Sequence, residues 1–362
     1  MATTINTPTE EVPPGLSLAT APPPIIGESP ELRLALASLQ AQAQTLNEMI
    51  RTTVDALASP QAAPVPGSQA FAEIARRTVP RWHFAMLNDT VRNDALVTAV
   101  RRAIPPGATV LDIGSGTGLL AMAAVRAGAG HVYTCEGNPL LAEIARQIIA
   151  EHGMSDAITV LTKFSTAIEV GRDLPRRADV LISEIVDCGL IGEGLLPTVR
   201  HAREHLLAPG GVMMPVAARI HGQLVDSPAM VNLNRVHEAH GFDVSLMETV
   251  ATRGHFPVRM HTWPHRLLSE PFEMAAFDLA HDPLLPGSRR LTVPVTADGR
   301  AHGLLSWFSL ELCDGVDLRN APDNPESHWM QALILLDKPA SVTAGESLDM
   351  ELRWTETQLT VV

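Results

Sequence analysis

The sequence has little of what marks membrane, secreted or metal-binding proteins. No apolar run reaches the ~20 residues that a membrane-spanning helix needs. The segment from Met1 to Glu11 has neither the basic nor the apolar region of a secretory signal peptide. Cys135, Cys188 and Cys313 are the only cysteines, and they lack metal-binding or disulfide spacing. We therefore expect a cytoplasmic protein with reduced thiols, no metal and no membrane partner.

Positive charge is scarce as well. The chain has 27 Lys and Arg residues against 40 Asp and Glu, a formal net charge of −13, and Lys163 and Lys338 are its only lysines. Binding a polyanion requires basic patches, so this balance argues against a nucleic-acid partner. An acidic protein suits a cationic substrate, although an acidic surface also serves solubility alone.

The clearest motif in the middle of the chain is a glycine-rich stretch. The apolar run Val110–Ile113, which contains Asp112, precedes Gly-Ser-Gly-Thr-Gly at 114–118, and a helical pattern begins at Leu119. Strand, glycine turn and helix form the nucleotide-binding opening of a doubly wound sheet. Glu136 ends the next predicted strand, where a carboxylate can accept both hydroxyls of a ribose. The sequence thus predicts a nucleoside-type cofactor, and the G-x-G-x-G spacing fits S-adenosylmethionine at least as well as NAD.

The pattern divides the chain into four parts. Residues 1–29 are rich in Pro, Thr and Glu and are predicted to be disordered. Residues 30–65 form a long helix followed by a Pro/Ala linker, and residues 66–215 begin with helices and then alternate strands and helices around a parallel sheet. The pattern of residues 216–362 predicts an antiparallel β-sandwich or barrel. A segment at about 227–254 interrupts this β pattern with a helical one.

The β region is predicted from short segments in which apolar and polar residues alternate. These segments include Arg219–Val225, Val258–Trp263, Gly303–Leu312 and Leu348–Trp354.

Two glutamates follow the fourth predicted strand of the parallel sheet. Glu184 lies directly after that strand, and Glu193 lies on the same glycine-flanked segment, which we call the two-glutamate loop (residues 184–193). Ligands of such sheets bind at the carboxyl ends of the strands. Two carboxylates in one pocket repel each other unless a cation lies between them, and a guanidinium is a planar cation that pairs with carboxylates. The alternative is that both are solvated loop acids.

Several separate motifs together resemble the protein arginine methyltransferases. They are Trp82–Asn93 (WHFAMLNDTVRN), the glycine loop, Glu136, the two-glutamate loop and Ser327–Gln331 (SHWMQ), and the resemblance extends from about Trp82 to Trp354. Two of these motifs are similar to those of the divergent branch that contains the monomethylating, type III enzymes. They are Asp-x-x-Leu-Ile-Gly-Glu-Gly and His-Trp-Met-Gln. The resemblance implies an α/β protein with a Rossmann-like class I methyltransferase domain, then an antiparallel β-barrel with a helical dimerisation arm at about 227–254. It also implies S-adenosyl-L-methionine as cofactor and a homodimer.

The resemblance assigns roles to matching positions of this sequence. The residues implied in cofactor binding are Arg92, Asp112, Gly114, Gly116, Glu136, Ser165 and Met86. Within that set, Arg92 would hold the methionine carboxylate and Glu136 the ribose. The residues implied in catalysis are Glu184, Glu193, His328 and Asp89. The two glutamates would clamp the guanidinium, His328 would pair with Asp89, and Phe84 and Trp329 would form walls of the substrate pocket.

One departure from the type III pattern bears on the substrate. Cys188-Gly189 stands where type III relatives often carry Thr-Glu, so this sequence lacks one acidic contact that favours both monomethylation and basic-peptide substrates. The changed loop and the presence of only one catalytic module favour free L-arginine in a small-molecule pathway. The resemblance to type III enzymes favours monomethylarginine as the main product. Three alternatives remain open: arginine in proteins or peptides, another small substrate, and a catalytically silent binding module. The sequence also leaves open whether Glu193 or the Asp89–His328 pair accepts the released proton.

Overall fold

The structure, a computed structural model, describes residues 30–58, 72, 75–76, 78–325 and 327–362. The predicted disordered segment and the predicted linker from residue 59 onward lie outside the described residues. The chain divides into two units, Met1–Ala72 and Glu73–Val362. In the first unit, helix α1 (Pro30–Ala58) is the long helix that the sequence predicts. Its apolar side chains are mostly open to solvent, between 47% and 62% exposed at Leu36, Leu39, Leu46 and Ile50.

Two helices near the start of the second unit are separated by one capping residue. They are α2 (Trp82–Asn88) and α3 (Thr90–Ala103). Asp89 separates them because its side chain accepts a hydrogen bond from the backbone N–H of Arg92 at 3.0 Å, which is the contact of an N-cap. The apolar face of α3 is buried, including Leu96 and Val100. This cap therefore fixes the start of the helix that carries Arg92.

A five-stranded parallel sheet follows, with helices between its strands. Its elements are β1 (Thr109–Ile113), α4 (Leu119–Arg126), β2 (His131–Cys135), α5 (Pro139–Glu151), β3 (Ile158–Leu161), β4 (Ala178–Ser183), α6 (Leu195–His205) and β5 (Leu207–Met214). The strand order is β3-β2-β1-β4-β5. The chain first adds β2 and β3 on one side of β1 and then β4 and β5 on the other side. This reversal creates a topological switch point at the carboxyl ends of the strands, where ligands of such sheets bind. The glycine loop, Glu136 and the two-glutamate loop follow β1, β2 and β4, so all three lie at this edge.

The β domain is built on long antiparallel strands. The elements are β6 (Ala217–Asp226), β9 (Phe256–Val258), β10 (Arg266–Leu267), β11 (Phe272–Asp278), β12 (Gly287–Pro294), β13 (Gly299–Cys313), β14 (Val316–Arg319), β15 (Gln331–Val342), β16 (Ser347–Trp354) and β17 (Leu359–Val361). Strand β13 pairs with β6, β14 and β15, while β12, β16 and β17 form a second sheet. Buried residues of both domains form one continuous core.

The structure corrects two sequence predictions in this domain. The predicted strand Val258–Trp263 ends at Val258, because the chain then turns through a 3-10 helix at Met260–Thr262. The segment 227–254 is less helical than its pattern predicts. It comprises the one-turn helix α7 (Pro228–Val231), the two-residue strands β7 (Glu238–Ala239) and β8 (Phe242–Asp243), and a 3-10 helix at Ser245–Val250.

The arm has a local reason for its irregularity. Gly241 and His240 adopt positive φ angles of 86° and 55°, which turn the chain sharply between β7 and β8 and prevent one continuous helix. The arm exposes a set of large apolar side chains: Phe242, Leu246, Met247 and Val250 are 58–73% exposed. Among the described helices, none combines the length and hydropathy of a membrane span.

Candidate active site

A cavity of about 640 Å³ lies at the carboxyl edge of the parallel sheet. It brings together most of the residues that the sequence nominates for cofactor and substrate. Those that line it are Met86, Arg92, Gly114, Gly116, Glu136, Ser165, Glu184 and Glu193. Its volume is typical of small-molecule and cofactor sites.

Glu136 joins the glycine loop to the second strand. One carboxylate oxygen accepts from the N–H of Gly116 at 3.0 Å, and the other accepts from the N–H of Asn138 at 2.8 Å. Each oxygen of a carboxylate has a further lone pair, so both can still accept from a ribose hydroxyl. Gly116 has a φ of 53°, and a Cβ added there would meet no atom within 4 Å. The loop thus leaves open space above its backbone, as a nucleoside-type cofactor requires.

Asp112 lies beneath the glycine loop and does not line the cavity. Its Oδ2 accepts from the Thr134 hydroxyl at 2.7 Å, while its Oδ1 is buried without a partner. Burial raises the pKa of Asp112 to about 6, against the lowering effect of the Thr134 hydrogen bond. The cavity lining therefore does not support direct contact of Asp112 with the cofactor, although leaving its Oδ1 unpaired in a buried position is costly.

Phe164 and Ser165 form another part of the cavity wall. Ser165 is buried at the start of a 3-10 turn, and Phe164 is 73% exposed. A Cβ on Gly137 would come within 2.7 Å of the Phe164 ring, so only a glycine lets the ring lie this close to the chain after Glu136. An exposed aromatic face beside the Glu136 carboxylate is suited to stacking on a base.

Arg92 and Glu184 are in direct contact, which the sequence did not predict. A terminal guanidinium nitrogen of Arg92 donates to Oε2 of Glu184, and its other terminal nitrogen donates to the Asn93 side chain at 2.8 Å. Burial raises the pKa of Glu184, and the positive charge of Arg92 opposes that rise. The Arg92 guanidinium also lies 5.7 Å from the centre of the Trp329 ring. Thus Glu184 already holds one guanidinium, and its Oε1 can accept from another.

Glu193 remains accessible through the cavity that it lines. Partial removal from bulk water and then the charges of Glu184, Asp187 and Glu136 raise the pKa of Glu193 to about 7. A carboxylate with this pKa is well placed to take up a proton near neutral pH. Its high pKa also means that a bound cation would be needed to hold it fully ionised at pH 7.

His328 and Asp89 form an acid–base pair next to Arg92, and neither is among the described residues that line the cavity. Oδ2 of Asp89 lies 2.9 Å from Nδ1 of His328 and accepts its backbone N–H at 3.0 Å. Burial favours a higher pKa for Asp89, but the hydrogen bonds from Arg92 and His328 outweigh it and lower that pKa. Asp89 is therefore a carboxylate, so Nδ1 of His328 donates to it. Burial lowers the pKa of His328 despite this partner, which favours the neutral imidazole.

Neither of the two predicted pocket walls is among the described residues that line the cavity. Trp329 lies buried behind the two-glutamate loop, where its indole N–H donates to the Val186 carbonyl at 3.1 Å. Phe84 is 67% exposed and is not among the described residues that line the cavity. It lies on α2, whose cavity-lining residues are instead Trp82, His83, Met86 and Leu87.

Sequence reasoning also missed a contact of Asp187 in the two-glutamate loop. Asp187 pairs with His255, which is 68 residues away in sequence and lies just before β9. Asp187 stands in a recognised motif, but nothing in Gly254-His255-Phe256 signals a partner for it. Only the folded β domain brings the two residues together.

Two family models match the chain. The model described as the arginine methyltransferase oligomerization subdomain matches residues 217–359. The model of ribosomal protein L11 methyltransferase (PrmA) matches residues 95–213. The first match falls on the β domain and the second on α3 and the parallel sheet.

Curated proteins are similar over most of the chain. The Arginine N(omega)-methyltransferase of Streptomyces achromogenes subsp. streptozoticus is 61% identical over 329 residues, which are 91% of this chain and 91% of that protein. Protein arginine N-methyltransferase 9 of Xenopus laevis is 32% identical over 324 residues, 78% of this chain and 38% of that protein. Protein arginine N-methyltransferase 7 of Oryza sativa subsp. indica is 31% identical over 315 residues, 76% of this chain and 43% of that protein. This chain therefore spans less than half the length of the last two relatives.

Solved structures share the fold. The Trypanosoma brucei PRMT1 enzyme–prozyme heterotetrameric complex with AdoHcy matches with a TM-score of 0.66 and 24% identity, over 77% of this chain and 89% of that one. Arabidopsis thaliana protein arginine methyltransferase 10 matches with a TM-score of 0.62 and 23% identity over the same shares. The predicted fold class, a Rossmann-like methyltransferase domain followed by a β-barrel, is confirmed.

Proposed function

This chain belongs to the arginine methyltransferase family, and within that family we propose that it methylates free L-arginine, with Nω-monomethylarginine as the main product. It is an arginine N-methyltransferase, and its cofactor is S-adenosyl-L-methionine. The observation that carries the Nω-methylation of arginine is the 61% identity to an Arginine N(omega)-methyltransferase over 91% of both chains. The proposal of a free substrate is supported by the two-glutamate loop. The longer relatives named for protein arginine methylation are 31–32% identical.

The two glutamates have the chemistry that a guanidinium substrate requires. S-adenosylmethionine, when bound, supplies an electrophilic methyl group. The substrate guanidinium is a poor nucleophile, because its lone pairs are delocalised and it stays protonated at pH 7. Carboxylate contacts from Glu184 and Glu193 would draw positive charge to one side of the guanidinium and leave the other nitrogen more nucleophilic. Because the two acids share one cavity, they can contact the same substrate group.

Each remaining site residue has a supporting role in this proposal. Glu136 would bind the cofactor ribose, and Arg92 would bind its methionine carboxylate while keeping its contact with Glu184. Glu193, whose pKa is about 7, is our candidate for the group that accepts the released proton. The neutral His328, held by Asp89, is the second candidate.

The inward orientation of Asp187 supports a small substrate. Its carboxylate already accepts from His255 and from the N–H groups of Gly189 and Gly192, which leaves it little capacity to bind a basic peptide. Gly189 offers no acid either. A free amino acid needs no such contacts, but its α-ammonium and α-carboxylate groups must find partners of their own.

The deciding experiment uses labelled S-adenosylmethionine with three acceptors: free L-arginine, an arginine-rich peptide, and none. Mass spectrometry should find mainly monomethylarginine with free arginine. Polar-group recognition discriminates by about 10⁴ or more, so peptides should be poor acceptors. A higher kcat/KM for the peptide would replace the free-arginine proposal with protein arginine methylation.

We also propose a homodimer formed through the arm at residues 227–254. The match to an oligomerization subdomain and the exposed apolar side chains of the arm support this assignment. Helix α1, with its exposed Leu39 and Leu46, is a candidate second contact between two copies.

A further inference from the structure

Three consecutive residues of the two-glutamate loop are each held by a side chain of the β domain. The indole N–H of Trp329 donates to the Val186 carbonyl at 3.1 Å, and the Asn320 amide donates to the Cys188 carbonyl at 3.1 Å. Between them, His255 contacts the side chain of Asp187. We propose that His255 is a positioning residue for the methyl transfer, which holds Glu193 in its working geometry through Asp187. The proposal rests on the proposed function for the role of Glu193.

Asp187 is the centre around which the loop folds. Its Oδ1 accepts the backbone N–H of Gly192 at 2.8 Å and that of Gly189 at 3.2 Å. Gly192 is the residue directly before Glu193, so the Asp187 carboxylate fixes the backbone from which the Glu193 side chain extends. Burial favours a higher pKa for Asp187, but the His255 hydrogen bond leads the contacts that lower it. Asp187 is therefore an anion that these donors satisfy.

His255 has one use for each of its ring nitrogens. Nδ1 accepts the backbone N–H of Leu359 at 3.1 Å, so in the neutral ring the proton lies on Nε2. Nε2 donates to Oδ2 of Asp187 at 2.7 Å, and the ring is 4% exposed. Asp187, Cys188 and His255 lie close enough to bind a metal. Because both nitrogens of the ring are already engaged, His255 has no lone pair to offer a metal ion.

The close packing around Asp187 and His255 requires glycine at two positions of the loop. A Cβ on Gly189 would come within 2.3 Å of the His255 ring, and a Cβ on Gly192 would come within 2.2 Å of the Asp187 carboxylate. Between these glycines, Leu190 adopts a φ of 81°, a left-handed conformation that is unfavourable for a residue with a branched side chain. The hydrogen bonds to Asp187 hold the loop in that conformation, and His255 holds Asp187.

Two substitutions separate the two hydrogen bonds of His255. In His255→Gln, the amide nitrogen reaches about as far as Nε2 and keeps a donor for Asp187. In His255→Asn, the shorter side chain keeps an acceptor for the Leu359 N–H but loses the donor for Asp187. The exposed pair His281 and Asp278, with 3.0 Å between Nδ1 and Oδ2, supplies the matched control His281→Asn in the same domain.

The first measurement is amide hydrogen exchange of residues 184–194 in the protein without substrate. We expect faster exchange at the N–H groups of Gly189 and Gly192 in His255→Asn, and exchange close to wild type in His255→Gln and His281→Asn. Unchanged exchange in His255→Asn would overturn the positioning contact. This result does not depend on which substrate the enzyme uses, so it stands even if no arginine acceptor is methylated.

The second measurement is steady-state kinetics with free arginine. We expect His255→Asn to lower kcat by about 10–100-fold, the loss that a small misplacement of a reacting group causes, with S-adenosylhomocysteine binding unchanged. His255→Gln should recover most of that loss. A wild-type kcat in a His255→Asn protein with faster loop exchange would overturn the catalytic part. If His255→Asn does not fold, Asp187→Asn tests the same carboxylate, and a wild-type kcat in that variant would likewise overturn it.

Discussion

Arg92 and Glu184 form an ion pair in which each side chain is nearly buried, 5% and 7% exposed respectively. The pair joins α3 to the end of β4, and so joins the residue assigned to the cofactor carboxylate with a residue assigned to the substrate. Neither partner can be removed without leaving the other charge buried. Removing one partner of a buried ion pair is strongly destabilising, at about 3–5 kcal/mol.

We predict that Arg92→Met lowers both the stability and the cofactor affinity of the protein. Glu184 would lose its positive partner in a buried position, and the methionine carboxylate of the cofactor would lose its cation. Thermal unfolding should occur at lower temperature, and calorimetry should give at least a 10-fold weaker Kd for S-adenosylhomocysteine. Arg172→Met, which removes an arginine paired at the surface, is the control and should change neither. Wild-type cofactor binding in Arg92→Met would contradict the assigned role.

We predict that Glu184→Gln and Glu193→Gln each lower kcat by about 100-fold or more, because a charge-assisted contact to a cation in an enclosed site contributes several kcal/mol. Glu193→Gln should bind the cofactor normally, since its side chain makes no contact with Arg92. Turnover near wild type in either variant would refute the guanidinium clamp.

The pH dependence should identify the proton acceptor. Because the pKa of Glu193 is raised to about 7, its carboxylate form predominates only above that pH. kcat/KM for arginine should therefore rise with pH through about 7 in the wild type, and the rise should be absent from the residual activity of Glu193→Gln. His328→Asn should be slower but keep the rise. If kcat/KM no longer rises with pH in His328→Asn but still rises in Glu193→Gln, the proton acceptor is the Asp89–His328 pair.

The dimer prediction is tested on the exposed apolar side chains of the arm. We expect Phe242→Ser combined with Leu246→Ser to shift the protein from dimer to monomer in sedimentation velocity, because these side chains are 73% and 65% exposed in one chain. Leu285→Ser changes a leucine of the β domain that is 55% exposed, and it should remain dimeric. If the double variant remains a dimer, the interface lies outside the arm, and α1 is the next segment to test.

Much of this site could be predicted because its signals are local. Asp112, the glycines after β1 and Glu136 lie on consecutive strand–turn–helix units, and the strand order alone carries them to one edge. The Arg92–Glu184 and Asp187–His255 contacts could not be predicted, because they join residues 92 and 68 positions apart through tertiary packing. The arm was predicted to be too helical because apolar spacing does not reveal the positive φ angles at His240 and Gly241.

The last prediction concerns the steric exclusion between position 189 and the His255 ring. A Cβ on Gly189 would lie 2.3 Å from that ring, and Gly189 is not in the left-handed region, so an alanine there is opposed by packing rather than by backbone conformation. Gly189→Ala should cost about 1–3 kcal/mol of unfolding free energy in the wild-type background, the usual cost of overpacking. In a His255→Ala background the same substitution should cost close to nothing, because the methyl group then enters the space that the ring leaves. Chemical denaturation of the four proteins gives the coupling directly.

If the two substitutions are additive, the ring does not determine the residue at position 189. If they are coupled, Gly189 is the steric counterpart of His255, and a larger residue at position 189 requires a smaller residue at position 255.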